Sequence, residues 1–332
     1  RWAARELLDA AEEHRPPFWA ELAELGWLGL HVDEQYGGSG YGLPELVVVI
    51  DELGRAVAPG PFLPTAVVSA VLSAAGTDEQ KTRLLPGLID GSVTAAVGFG
   101  GDLTLSGGKV SGDAGVVLGA GLADLLLLTA GDDVVLVDRT ADGVSVEVPG
   151  NLDRTRRSGR VTLADVAVGD NVLTEARSAA VAYARTLFAA EAAGGASDCV
   201  DTAVEYAKVR EQFGRTIATF QAVKHHCANM AVAAESTVAA VWDAARAAGE
   251  SAEDGQSQFE LIAAAAATLA FPAYVRNAEL NIQVHGGIGF TWEHDAHLHL
   301  RRALTVQALL GGDGPPTEVF YLTPRGISRP NS

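Results

Sequence analysis

The sequence is poor in cysteine, in positive charge and in long apolar runs, and each shortage narrows what the chain can be. Two cysteines, Cys199 and Cys227, give neither a disulfide framework nor a metal-ligand spacing, so a reducing cytoplasm is the expected setting. Lys and Arg number 24 against 42 Asp and Glu, a net charge of −18. Nucleic-acid binders carry a basic footprint and anionic lipid attracts basic patches, so neither is an expected partner. A phosphate-bearing cofactor stays open, because a few local arginines decide that contact. No apolar run reads as long enough for a membrane helix. The greasiest stretch, residues 125–128, is closed off by Asp124 and Asp132. Metal motifs are missing too. His225 and His226 are adjacent and cannot share a helix face, while His294, His297 and His299 lack the His-Glu-x-x-His arrangement. No short solenoid repeat is present. The first residue is Arg1, which leaves a preceding segment open.

What is there reads as globular, with 48 % hydrophobic and 20 % charged residues. Residues 1–90 read as a helical domain. Residues 1–14 carry Leu7, Leu8 and Ala11 between charges, an amphipathic pattern. A short helix spans 18–28. Residues 36–40 form a turn cluster, and a buried helix runs from Pro44 to Gly54. Pro59, Pro61 and Pro64 punctuate the next link, and Thr77 is placed to cap a further helix. Residues 91–173 change texture: Val144, Val146 and Val148 alternate with polar residues, and glycine turns separate short runs, as in a small antiparallel β domain. Residues 174–310 are Ala-rich and read as a four-helix bundle, with breaks near Phe213-Gly214, at 249–254 and at Gly286-Gly287. Residues 311–332 read as a tail or linker. The fold class expected is α+β, helices then strands then helices.

Four groups of segments, in order and register over nearly the whole chain, resemble the acyl-CoA dehydrogenase family. The first is Leu25-Gly26-Trp27-Leu28-Gly29-Leu30 with Tyr36-Gly37-Gly38-Ser39-Gly40 and Glu52-Leu53-Gly54-Arg55. The second is Gly76-Thr77-Asp78-Glu79-Gln80-Lys81 with Leu85-Pro86. The third is Arg210-Glu211-Gln212-Phe213-Gly214, then Phe220-Gln221. The fourth is Gln283-Val284-His285-Gly286-Gly287. The resemblance implies α,β-dehydrogenation of an acyl-CoA thioester, in which a carboxylate takes the α-proton while FAD takes the β-hydrogen as hydride. It also implies that Arg210, Gln212, Phe213, Gln283, Gly286 and Gly287 contact the ADP half of a FAD held mainly by a neighbouring subunit. The chemistry of these residues suits that role. A guanidinium fork matches phosphate oxygens, Phe213 is expected on the helix face of Arg210, and glycines let a dinucleotide approach the backbone.

Other family positions are empty. Counting from Gly286-Gly287, the usual catalytic glutamate falls on Leu310; the alternative position, counted back from Arg210, is Ala184. Neither accepts a proton. Arg185 follows Ala184, and the resemblance places it near the CoA arm, against a solvated helix arginine as the plain alternative. The loop beside the flavin ring corresponds to Ala95-Ala96-Val97-Gly98-Phe99-Gly100-Gly101, without hydroxyl, carboxylate or proline. Losing base and ring cradle while keeping the ADP-side motif resembles the silent half of heteromeric or internally duplicated dehydrogenases acting on sterol side-chain thioesters. The segment 287–294 resembles that subgroup, with Trp292 read as packing. The partners implied are a catalytic subunit or fused second half, an acyl-CoA substrate and an electron-transfer acceptor. Two other readings stand beside this one: a self-sufficient dehydrogenase using Glu191 or Asp313 as base, and a non-enzymatic CoA-ester-binding or scaffold protein. Glu191 reads more simply as a helix ion-pair partner.

Overall fold

The computed structural model describes residues 2–249 and 255–310. Arg1, most of the expected break at 249–254, and the tail beginning with Gly311, Gly312 and Asp313 lie outside the described residues. The chain is α+β as expected. Among the described residues, five N-terminal helices, α1 (Trp2–Asp9), α2 (Trp19–Glu24), α3 (Leu43–Arg55), α4 (Phe62–Ala75) and α5 (Asp78–Ile89), precede a sheet, and four longer helices come after it.

Some expected boundaries are corrected. The first helix stops at Asp9, because Arg154 and Arg157 draw the carbonyls of Ala10 and Ala11 into a strap over the loop they occupy. The second stops early: Gly26, at φ +73°, breaks it, and Trp27–Gly29 is a separate 3-10 turn. Pro64 does not lie in a link. It sits in the first turn of α4, where backbone N–H groups have no helical acceptor and proline is tolerated. That helix is buried over most of its circumference, so its sequence shows no polar face to betray it. Thr77 does cap α5: its hydroxyl accepts from the Gln80 amide while the Gln80 side chain accepts from the Thr77 amide.

The sheet contains β1 (Ala95–Gly98), β2 (Thr104–Ser106), β3 (Lys109–Leu118), β4 (Leu125–Ala130), β5 (Asp133–Asp138), β6 (Val144–Glu147), β7 (Ser158–Ala167) and β8 (Val172–Leu173). The strand order is β6-β7-β3-β1-β4-β5-β8, with β2 beside β3. It is not wholly antiparallel. β1 and β4 pair in parallel, with Ala95 opposite Leu125 and Gly98 opposite Leu128. The four leucines are continuous because β4 is covered on both faces. Leu125 and Leu127 enter the large core shared with the helices, and Leu126 and Leu128 enter a second core on the far side.

The bundle comprises α6 (Arg177–Val209), α7 (Gln221–Ala247), α8 (Gly255–His285) and α9 (Ala296–Leu310). The helical run Gln258–Phe290, most of α8 with the 3-10 turn that follows it, is long and apolar enough, by length and composition, to cross a membrane, which corrects the expectation that no run is. Its alanines at 263, 264, 266, 267 and 270 are buried against its neighbours, and that packing accounts for the composition. Gly54 and Gly194 let α3 and α6 touch backbone to backbone. A Cβ at Gly194 lies 1.9 Å from the Asp51 carbonyl oxygen, and one at Gly54 lies 2.3 Å from that of Glu191.

Candidate functional site

Two places on this frame hold the positions singled out from the sequence. The first lies between the sheet and the bundle. A cavity of about 220 Å³ is lined by Val97, Phe99, Gly100, Leu118, Phe188 and Leu310, among others, and every lining residue is apolar. Leu310 and the 95–101 segment, nominated separately by counting along the chain, therefore face the same space. Residues 95–98 are strand β1 rather than loop, so much of the backbone there is committed to the sheet. Ala184 is buried in the same core, one turn before Phe188. Among the described residues lining this cavity, none has a side chain that can remove a proton from a thioester or hydrogen-bond a flavin ring.

Glu191 is not a displaced base. Its two carboxylate oxygens accept from both terminal nitrogens of Arg156 at 2.7 Å, and Oε1 also accepts from Arg302 at 2.7 Å. Arg302 donates further to Asp153 at 2.5 Å and to the Thr155 hydroxyl at 2.9 Å. Burial pushes the Glu191 carboxyl up, but the two guanidinium groups outweigh it and hold the group below the ordinary carboxylate range. Burial raises Asp153 in the same way, and the Arg302 charge, the Thr155 hydrogen bond and the Arg156 charge bring it below its ordinary value. A carboxylate so paired is a structural anion. Its partners are hidden from a local reading, because they lie 35 and 111 residues away. One signal is present in the sequence: Arg302 occupies an apolar stripe of α9 with Leu298, Val306 and Leu310, four residues apart, a position where arginine is buried only with partners.

The second place is the far end of the bundle. Arg210 is the C-cap residue of α6, with extended backbone, and it leads into a hairpin in which Arg215 pairs with Gln212 and Thr216 with Glu211. Phe213 is thus not on the helix face of Arg210. It sits at the hairpin tip with φ +57°, followed by Gly214 at +75°, the left-handed pair that a tight two-residue hairpin requires. A phenylalanine in that conformation is strained, and this one is 92 % exposed, so internal packing does not account for it. Its ring stands edge-on to Phe220 at 6.1 Å, and the Arg215 guanidinium covers Phe220 at 4.3 Å. The Arg210 side chain is exposed and makes no hydrogen bond or ion pair with a described residue. The exposed Gln212 amide donates to the Glu211 carbonyl.

The fourth motif lies beside this hairpin. His285, the last residue of α8, stacks on Tyr206 of α6 at 4.3 Å, and its Nδ1 donates to the Asn281 carbonyl at 2.8 Å. Val209, next to Arg210, and His285, next to Gly286, line one open cavity of about 500 Å³. Gln283, Gly287, Ile288 and Phe290 are exposed. Gly286 needs glycine for its φ of +62°; Gly287 does not, and a Cβ there meets nothing within 4 Å. No described contact within this chain requires glycine at 287, whereas a molecule lying against the backbone does. This end fits the ADP half of a dinucleotide: an available guanidinium, two amides, an exposed ring and accessible backbone. Arg185 is buried on α6, at 7 % exposure, so the solvated-arginine alternative does not hold.

Comparison with known proteins shows the family. Residues 1–92 match the model of the acyl-CoA dehydrogenase N-terminal domain and residues 174–314 that of the C-terminal domain. The chain is 42 % identical over 322 residues to acyl-CoA dehydrogenase FadE34 of Mycobacterium tuberculosis, covering 96 % of this chain but only 44 % of that protein. It is 32 % identical to acyl-CoA dehydrogenase IpdE2 of Mycolicibacterium smegmatis, covering 95 % of this chain and 89 % of that one. A solved variant of the Tcur3481-Tcur3483 steroid ACAD superposes with a TM-score of 0.88 at 31 % identity, over 98 % of this chain and 92 % of that one. The ChsE4-ChsE5 complex of Mycobacterium tuberculosis shares the fold, with a TM-score of 0.87 at 23 % identity, over 99 % and 92 %.

Proposed function

Because the chain belongs to the acyl-CoA dehydrogenase family, we propose that it is the non-catalytic half of a composite FAD-dependent acyl-CoA dehydrogenase. The observation that carries this reading is the contrast within one chain. The described side chains lining the cavity at the base position, Leu310, are all apolar, while the end holding Arg210, Gln283 and Gly287 is open and offers exposed polar side chains and a glycine that no described contact requires.

In such an assembly, bound FAD accepts the β-hydrogen of the acyl thioester, and the partner subunit or fused second half supplies the carboxylate that takes the α-proton. This chain's own residues bind and orient. Arg210 presents two parallel donors to pyrophosphate oxygens, Gln212 and Gln283 supply amide contacts, and Phe213 covers a flat part of the cofactor from the hairpin tip. Gly286 and Gly287 admit the dinucleotide to the backbone. Arg185 belongs to the substrate side of the same reading, and in this chain it is buried on α6. An electron-transfer acceptor is a further proposed partner and would take up the electrons removed from the substrate. A steroidal side-chain thioester is the proposed substrate class, supported by the 31 % likeness to a steroid dehydrogenase assembly. FadE34 is more than twice the matched length, which suits a chain containing two such halves.

The test is the visible absorption spectrum and turnover of the chain purified alone, and then with its partner. Alone, the chain is expected to carry no stoichiometric flavin and to dehydrogenate no short, long or steroidal thioester with an artificial electron acceptor. Turnover by the isolated chain overturns the reading.

A further inference from the structure

The turn after the Gly286-Gly287 segment is held by a residue from the opposite end of the sequence. Arg5, on α1, donates through Nε to the Asp295 carboxylate at 2.6 Å, through one terminal nitrogen to the Trp292 carbonyl at 2.9 Å, and through the other to the Glu293 carbonyl at 2.7 Å. One planar guanidinium thus fixes three residues of a four-residue span. α1 is itself anchored, since Ala4 and Leu8 pack on Leu298 at the start of α9 and on Val57.

The clamped turn reaches back to the glycines through two routes. The Thr291 amide and hydroxyl both donate to the Ile288 carbonyl, at 3.0 and 2.9 Å. The His294 ring lies 4.3 Å from the His285 ring, which stacks in turn on Tyr206. His285 is the residue directly before Gly286. Neither glycine has a side chain to fix it, and a Cβ at either meets nothing within 4 Å, so their geometry depends on what holds the residues around them.

We propose that Arg5 is a positioning residue for the cofactor-facing turn, holding Trp292, Glu293 and Asp295 so that Gly286 and Gly287 present a preformed backbone surface to FAD. It touches no ligand itself. The inference rests on the assignment of this end of the bundle to the ADP half of FAD, and Arg210→Ala serves as the control for that assignment.

Two measurements test it. The first is hydrogen–deuterium exchange of the full chain. In Arg5→Ala, exchange is expected to rise at amides 288–296 while the rest of the bundle stays protected. The second is FAD affinity of the chain assembled with its partner. A lost preformed surface is expected to weaken FAD by roughly three- to tenfold, less than the loss of a direct charged contact. Arg5→Lys, which keeps charge but not the three-pronged geometry, is expected to fall between parent and alanine variant in both. Asp295→Asn, which keeps a hydrogen-bond acceptor for Arg5, is expected to retain most of the affinity. If exchange rises but FAD affinity holds in Arg5→Ala while Arg210→Ala weakens FAD, Arg5 is structural only and the inference is overturned with the assignment standing. If neither exchange nor affinity changes, the clamp itself is wrong. If Arg210→Ala also leaves FAD unchanged, the assignment fails and takes this inference with it.

Discussion

The ring-side cavity and the hairpin end belong to one bundle, and they differ in what the fold demands of them. At the cavity, Leu310, Phe188, Phe99 and Leu118 make ordinary apolar packing, and the buried charges of Arg156, Glu191, Arg302 and Asp153 neutralise one another in a network behind it. No described side chain there offers a polar group to a ligand. At the hairpin end, an exposed phenylalanine is held in a left-handed conformation, an arginine side chain goes unpaired among the described residues, and a glycine stands where no steric reason requires it. These three features supply no pairing or packing to the described residues that would explain them. Residues kept against the interest of the fold are the ones expected to serve something outside it.

The largest expected effect is on the buried network. Glu191→Gln leaves Arg156 and Arg302 under-compensated in the interior and should cost about 3–5 kcal/mol by chemical denaturation. The same network sets an acid limit. Glu191 and Asp153 are held below their ordinary values of 4.5 and 3.8, so their stabilisation is present above those values and is lost as pH falls below them. A variant as stable as the parent places the network outside the core and reopens Glu191 as a base.

Leu310→Glu tests the cavity. A carboxyl there meets no polar side chain among the described residues lining the cavity and replaces a buried leucine, so destabilisation of about 2–4 kcal/mol is expected. The variant should gain no flavin-dependent turnover without partner, since a base alone provides no ring site. Unaltered stability or new turnover removes the contrast between the two regions.

Arg210→Ala is the reverse case. A charge-assisted phosphate contact is worth about 1.5–3 kcal/mol, so FAD affinity of the assembly should fall roughly 10- to 100-fold. The melting curve of the chain alone should hardly move, because an exposed, unpaired side chain is worth within about 0.5 kcal/mol to folding. Arg210→Lys should recover part of the affinity.

The smallest effect on folding sharpens the comparison most. Gly287→Ala should change the stability of the chain alone by less than about 0.5 kcal/mol, yet weaken FAD retention in the assembly. Gly286→Ala should do the same to FAD and also cost about 1 kcal/mol in folding, from its left-handed backbone. Equal FAD retention in parent and both variants returns the two glycines to a simple helix end.

Much of the fold is legible in the sequence, for local reasons. The Thr77 capping box, the breaks at Phe213-Gly214 and Gly286-Gly287 and the strand alternation of 144–147 each involve residues within a few positions of one another. The failures have local causes too. α4 is buried nearly all round, so it shows no amphipathic signature, and its prolines resemble those of a link. A spacing of three suggests a shared helix face for Arg210 and Phe213, while the positive φ that puts Phe213 on a hairpin is not a property of phenylalanine.

The sequence by itself determined the family, the α+β order of elements and the absence of a base at both counted positions, since these depend on residue identity and register. Only the tertiary structure decided that Leu310 and Phe99 share one cavity, that Glu191 is a paired anion, that the Arg210 side chain has no partner among the described residues, and that Arg5 clamps a turn 290 residues away. Side-chain chemistry is written residue by residue. Whether a charge is paired, or a glycine needed, depends on which distant segments pack beside it, and that is settled when the whole chain minimises exposed apolar surface and unpaired polar groups together.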